Sequence, residues 1–107
     1  MKGFLKIDYD TIGEIDFKVI AESMGVIGGD LKIYPAYEKY KKQIQILTDL
    51  KGNANSDDFN FTLVLEDQTV VKAEGGVSVT DSVEFGERLM DAAGVDYKYI
   101  EILKFKG

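Results

Sequence analysis

Four carboxylates surround a glycine near the amino terminus, at spacings that match part of a calcium-binding loop. They are Asp8, Asp10, Glu14 and Asp16, and the glycine is Gly13. Alternate residues of such a loop direct oxygens at one ion, but its twelfth position requires a bidentate glutamate and is Val19 here. We therefore interpret these carboxylates as solvated groups at a strand end and a helix cap, and we predict no metal site.

A second alternation of oxygen-bearing side chains occupies the polar segment 52–58. It consists of Asn53, Asn55, Asp57 and Asp58. Asp58 occupies the position at which a calcium loop needs glycine, and Val64 occupies the position of the bidentate ligand. The pattern is more typical of a polar loop that precedes a strand.

A glycine-rich stretch, Gly25-Val26-Ile27-Gly28-Gly29, raises the possibility of phosphate binding. Backbone amides next to glycines bind phosphate where they open a helix. The stretch lacks the GxGxxG spacing and the Lys-Ser/Thr pair of a P-loop, and the residues after it favour a strand. We interpret it as the exit from a helix or a turn before a strand, and we predict no cofactor.

Tyrosines and lysines are concentrated in segment 32–42. It is the one segment of this acidic sequence in which positive charges cluster. The predicted partner-binding residues are Tyr34, Tyr37, Tyr40, Lys39 and Lys41. Aromatic side chains between lysines can stack on bases or anchor a protein. The alternative, which is the commoner role of such a stripe, places Tyr37 and Tyr40 in the core with Ile44 and leaves the lysines solvated.

The composition excludes several classes of site. The 107 residues include no cysteine and no histidine, which removes disulfides, the usual zinc and haem ligands, and Ser–His–Asp or Cys–His catalysis. Nineteen acidic residues against 13 basic ones give a net charge of −6, and Arg88 is the single arginine. We therefore expect a non-enzymatic protein that does not bind nucleic acid.

Length and hydropathy predict a single domain, 1–107, in the cytoplasm. The hydrophobic fraction of 45% is typical of a globular domain. No signal-peptide core follows the amino terminus, and no apolar run approaches the length of a membrane span, so we expect no membrane partner.

Periodicity predicts an antiparallel sheet packed against helices. The predicted strands are 3–9, 30–34, 59–66, 69–79 and 97–105, and the predicted helices are 36–50 and 82–93. Pro35 suits the first turn of the helix at 36–50. The Gly75-Gly76 pair predicts a bulge in its strand.

Segment 12–24 is compatible with two structures. Thr11 and Glu14 resemble a helix cap, whereas alternation from Glu14 to Ile20 and four β-branched residues favour a strand. We favour a helix over 12–24, which gives two or three helices in all.

The resulting fold class is α+β, with the β-α-β-β-α-β order of ferredoxin-like folds from residue 30 onward. The alternative is a mostly-β sandwich or roll with one helix at 82–93.

Three functions remain open after these exclusions. The first is a small acidic protein-binding or assembly module, which acts on a protein partner or by self-association. The second is an inhibitor, immunity or anti-defence protein of a mobile element or phage, whose acidity suits a basic target. The third is a small-ligand-binding domain, which a carboxylate beside a tyrosine in a pocket would support.

Overall fold

A computed structural model describes residues 1–52 and 57–106. Its strands are β1 (Lys2–Ile7), β2 (Asp10–Asp16), β3 (Lys18–Ala21), β4 (Val26–Ile33), β5 (Phe61–Leu65), β6 (Val70–Val71), β7 (Ala73–Ser82) and β8 (Glu87–Val95). The α-helices are α1 (Lys41–Lys51) and α2 (Tyr97–Lys106), and 3-10 helices span Glu22–Met24 and Pro35–Lys39.

The strands form one antiparallel sheet that curls into a nearly closed barrel. Its order is β6-β5-β1-β2-β4-β8-β7, and β3 pairs with β4 beside this path. Only Lys72 separates β6 from β7, so the chain passes from one edge of the sheet directly to the other. β5 also contacts β7, which brings the two edges together and encloses the core.

Alternating side chains explain why these segments pair as strands. In β1, Leu5 and Ile7 are buried while Lys6 between them is partly exposed. Across three strands, Val77, Ala92 and Ile27 lie opposite one another and all point into the core. Each inward row therefore buries apolar surface from several strands at once, which stabilises the barrel.

The two helices lie at opposite ends of the barrel. The α1 end comprises α1 itself, the segment 34–40, the β1–β2 turn at 8–9 and the β7–β8 turn at 83–86. At the other end, the α2 end, α2 contributes Tyr99, Ile100 and Leu103 to the core. These residues and Ile44 of α1 belong to the same apolar cluster as the strands, so both helices are packed parts of the barrel.

The predicted ferredoxin-like fold is wrong. The β-α-β-β-α-β order fails because segments 82–93 and 97–105 have exchanged types: β8 occupies most of the first, and α2 occupies the second. The alternative was right that strands dominate, but its single helix at 82–93 is also wrong.

A local hydrogen bond explains the error at 82–93. The hydroxyl of Ser82 accepts a hydrogen bond from the backbone N–H of Phe85 at 3.2 Å, as a helix cap would. Gly86 then adopts a φ of 65°, a left-handed conformation that reverses the chain instead of continuing a helical turn. The helix cap that Asp81 and Glu84 predict in the sequence therefore coincides with a hairpin turn between β7 and β8.

The other two errors have different causes. The helix favoured over 12–24 is wrong because pairing with β1 and β4 satisfies the backbone of β2, and its β-branched residues fit that sheet. At 97–105 the Tyr and Ile content suggested a strand. Asp96 instead accepts a hydrogen bond from the N–H of Lys98 at 2.9 Å and starts α2.

Other predicted features are present in the structure. The helix predicted at 36–50 is the 3-10 helix that begins at Pro35, followed by α1. Strand pairing shifts register between Ala73 and Gly76, which is the bulge expected at the glycine pair.

Candidate functional site

A buried cluster of polar side chains lies at the α1 end, where it joins segment 34–40 to strands β7 and β8. The hydroxyl of Tyr37 donates to Oδ2 of Asp81 at 2.6 Å, and Nε of Arg88 donates to the same oxygen at 3.2 Å. Tyr37 is 0% exposed and Asp81 is 3% exposed. A buried carboxylate requires such partners, since an unpaired one would lose its hydration without compensation.

Strand register and a helix contact position the cluster. Asp81 on β7 lies directly opposite Arg88 on β8, on the face of β7 that also buries Val79. The backbone N–H of Asp81 donates to the hydroxyl of Thr48 at 3.1 Å, and that hydroxyl donates to the carbonyl of Ile44 at 2.9 Å. α1 therefore binds the edge of β7 through one threonine, beside the buried carboxylate.

The environment of Tyr37 keeps its hydroxyl protonated. Burial, reinforced by the adjacent Asp81 carboxylate, raises the pKa of Tyr37 far above its usual value. The guanidinium carbon of Arg88 lies 5.4 Å from the centre of the Tyr37 ring, where cation and ring attract each other. Tyr37 is thus a permanent hydrogen-bond donor to Asp81 at neutral pH.

Arg88 also borders a surface cavity of about 230 Å³. The cavity lies between α1 and the β7–β8 turn, and its lining residues are Lys41, Gln45, Asp81, Ser82, Val83, Gly86, Glu87 and Arg88. The side chain of Arg88 is 30% exposed. The cavity therefore presents a cation that the buried carboxylate holds in place.

Two apolar side chains project from the turn beside this cavity. Val83 is 68% exposed and Phe85 is 74% exposed. They lie on a hairpin whose base is anchored by the cluster, so exposed apolar groups are presented on a fixed support. We call Val83 and Phe85 the hairpin tip.

Tyr40 and Lys39 of the predicted partner-binding set form a second cluster with a carboxylate. The Tyr40 hydroxyl donates to Oδ2 of Asp10 at 2.5 Å, and Nζ of Lys39 lies 3.2 Å from the same oxygen. The hydrogen bonds from Tyr40 and Lys39 lower the pKa of Asp10, and the bond to Asp10 raises the pKa of Tyr40 to about 12. This contact ties the β1–β2 turn to segment 34–40.

The remaining predicted residues have separate environments. Tyr37 is in the core, which matches the alternative assigned to the aromatic stripe, and offers no surface to a partner. Tyr34 is partly exposed, with its ring 6.5 Å from that of Phe4. Lys41 lines the cavity beside Arg88. The structure therefore brings only Lys41 of the five to the Arg88 cavity.

The carboxylates of the calcium-like pattern do not converge. Asp10 pairs with Lys39, Glu14 with Lys2 at 2.7 Å, and Asp16 with the amino terminus at 3.3 Å. Asp8 lies in the exposed β1–β2 turn. Within residues 1–52 and 57–106, no group of three acidic side chains has a metal-binding arrangement.

The polar loop and the glycine stretch were the other sequence candidates. Asn53 and Asn55 lie outside the described residues, and Asp58 pairs with Lys51 at 2.6 Å. Gly25 ends the 3-10 helix Glu22–Met24 in the left-handed region. Gly28 and Gly29 lie within β4, so these glycines form part of the sheet and do not open a helix.

Sequence reasoning missed Asp81 and Arg88 as a pair. In the sequence, Asp81 with Glu84 resembles a helix cap, and Arg88 stands out only as the single arginine. The presence of a single arginine was the available signal, but it points to Asp81 as the partner only when β7 and β8 are known to be paired.

Two other cavities differ in character from the one at Arg88. A cavity of about 310 Å³ lies where β5 and β7 diverge, and Lys72 is the one charged residue in its lining. Another, of about 560 Å³, lies between α2 and the start of β3. Neither is lined by Asp81 or Arg88, so neither shares the buried polar cluster with the 230 Å³ cavity.

Comparison with known proteins identifies no relative: no family model, no curated protein and no solved structure matches the chain. None of the helices in the described part of the chain is long and apolar enough to cross a membrane.

Proposed function

We propose that this protein is a non-catalytic module that binds another protein through its α1 end. The observation that carries the proposal is the hairpin tip, where Val83 and Phe85 are 68% and 74% exposed next to a polar cavity. Protein-binding surfaces combine exposed aromatic anchors with nearby polar groups, and arginine is enriched among their strongest contacts.

The rigidity of the hairpin base supports this role. Asp81 and Arg88 are paired across the two strands and are tied to Tyr37 and Thr48. A recognition loop on a fixed base loses less conformational entropy when it binds than a free loop does. The hairpin tip is therefore suited to insert into a partner.

A protein is favoured over a nucleic acid as the partner. The chain has a net charge of −6, which repels a phosphate backbone. The chain contains no cysteine and so forms none of the disulfides typical of secreted proteins. We therefore propose that binding takes place in the cytoplasm.

The inhibitor alternative draws less support from the charge distribution. A concentrated acidic face would favour a basic target. The carboxylates in ion pairs lie at both ends of the barrel, with Asp10 and Asp81 at the α1 end and Asp16 and Glu22 at the α2 end. The small-ligand alternative has one specific observation in its favour, the Tyr37–Asp81 contact beside a cavity.

Photocrosslinking at two matched aromatic positions tests the proposal. Benzoylphenylalanine replaces Phe85 in one variant and Phe105 in another, each expressed in cells of the source organism. Phe105 is 90% exposed on α2, at the opposite end of the barrel. We expect irradiation to yield a discrete crosslinked product from position 85 and none from position 105.

The product's mass identifies the kind of partner. A product of twice the 11.9 kDa chain mass indicates a second copy, and any other discrete mass indicates a different protein. Absence of a product at position 85, or equal products at both positions, would contradict binding through the α1 end.

A further inference from the structure

We propose that the cavity beside Arg88 is a binding site for a carboxylate group. The inference goes beyond the proposed protein partner, because it rests on hydrogen-bond donors around one cavity, although Val83 of the hairpin tip also lines that cavity. Its central group is the guanidinium of Arg88, which lies against Asp81 and the Tyr37 ring.

The hydrogen bond from Nε orients the rest of the guanidinium. Arg88 uses Nε for Asp81 and also interacts with the Tyr37 hydroxyl, while its side chain stays 30% exposed at the cavity. A guanidinium has a planar fork of donors that matches the two oxygens of a carboxylate. Asp81 thus orients the fork, and its exposed part is the group that we assign to a ligand.

Three further side chains supply donors to the same cavity. Lys41 brings a second cation, whose nearest carboxylate is Glu38 at 3.9 Å. Gln45 contributes an amide, and the Ser82 hydroxyl accepts a bond from Phe85, which leaves its own proton to donate.

The cavity is lined by two cations, Arg88 and Lys41, and by two carboxylates, Asp81 and Glu87. Oδ2 of Asp81 already accepts hydrogen bonds from Tyr37 and Arg88, whereas the exposed Glu87 can turn towards solvent. The cavity of about 230 Å³ is smaller than the roughly 300–1,000 Å³ typical of pockets for drug-sized ligands. It therefore suits one carboxylate with a short carbon chain, either a free acid or an acidic side chain of a protein.

The single arginine permits a direct test by NMR. In ¹⁵N-labelled protein, Arg88 gives the one arginine ¹⁵Nε–¹Hε resonance, since the chain has no other arginine. We expect acetate or succinate to shift this resonance saturably, with a dissociation constant on the order of millimolar for so small a ligand. Sodium chloride at equal ionic strength is the control for screening.

Two lysine variants distinguish acetate binding in this cavity from non-specific attraction of anions to surface lysines. Lys41→Gln removes a cation from the lining, whereas Lys42→Gln removes its exposed neighbour, which does not line the cavity. We expect the first to weaken acetate binding by about two- to fivefold and the second to leave it unchanged. Arg88→Gln should abolish the shifts of the Ser82 and Gly86 backbone amides.

Several outcomes of these titrations would contradict a carboxylate site at Arg88. A shift that does not saturate, or that chloride reproduces, would overturn the proposal, as would equal effects of the two lysine variants.

A blocked peptide, acetyl-Gly-Glu-Gly-amide, distinguishes the sources of the carboxylate. Tighter binding of the peptide than of succinate indicates an acidic protein side chain, and the reverse order indicates a free acid. If Arg88→Gln fails to fold, the lysine pair still tests the site.

Discussion

Replacement of Tyr37 by phenylalanine removes one oxygen from the buried cluster and leaves the rest of the side chain in place. The hydroxyl donates to Asp81 at 2.6 Å, and both residues are almost completely buried, so water does not replace the lost bond. A hydrogen bond to a charged group contributes about 1.5–3 kcal/mol to the free energy of unfolding. Because Arg88 still neutralises Asp81, we expect a loss within this range.

Urea denaturation followed by circular dichroism measures the effect. For a urea dependence of about 1–3 kcal/mol per molar, the midpoint of Tyr37→Phe should fall by roughly 1 M. Tyr34→Phe is the matched control, since the Tyr34 hydroxyl has no hydrogen-bond partner among the described residues. We expect the control to change stability by less than about 0.5 kcal/mol.

A double-mutant cycle with Asp81→Asn then isolates the Tyr37–Asp81 interaction. The reasoning is refuted if Tyr37→Phe is as stable as the wild type, if Tyr34→Phe loses as much stability, or if the cycle shows no coupling.

Three further substitutions have outcomes that the geometry determines. Gly28→Ala should destabilise the protein by about 1–3 kcal/mol in urea denaturation, because a Cβ there would lie 2.3 Å from the Met90 carbonyl oxygen. Asp10→Asn should flatten the fall in melting temperature as the pH drops from about 5 to 2. The hydrogen bond from Tyr40 holds the pKa of Asp10 below its ordinary 3.8, so its stabilisation is present above that value and is lost as the pH falls through the folded-state pKa. Phe85→Ser should leave the free energy of unfolding within about 0.5 kcal/mol of wild type by denaturation, because Phe85 is 74% exposed.

The sheet was more predictable from the sequence than the positions of its helices. Alternation identified β1, β5 and most of β7, because a half-buried strand leaves a period of two in the sequence. Segment 82–93 misled because Asp81 and Glu84 resemble a helix cap, whereas the Ser82 hydroxyl caps a turn that closes a hairpin at Gly86. A local signal of this kind is shared by helices and hairpins, and pairing with distant β4 decides between them.

The candidate site was less predictable, because it depends on contacts distant in sequence. Tyr37 and Asp81 are 44 residues apart and meet only after α1 packs on β7. The tyrosine–lysine segment stands out in the sequence by its composition, but its spacing alone does not show that Tyr37 is buried and that Lys41 lines the Arg88 cavity. Once β7 and β8 are paired, Asp81 and Arg88 follow directly from register.

The affinity of the partner captured at position 85 tests the central claim most directly, namely that the α1 end is the binding surface. With that partner purified, titration calorimetry compares Phe85→Ser with Phe105→Ser, which are exposed aromatic residues at opposite ends of the barrel. We predict that Phe85→Ser weakens binding by at least about thirtyfold, as the loss of an aromatic anchor does, and that Phe105→Ser has no effect. Unchanged affinity for Phe85→Ser, or an equal loss for Phe105→Ser, would contradict the claim.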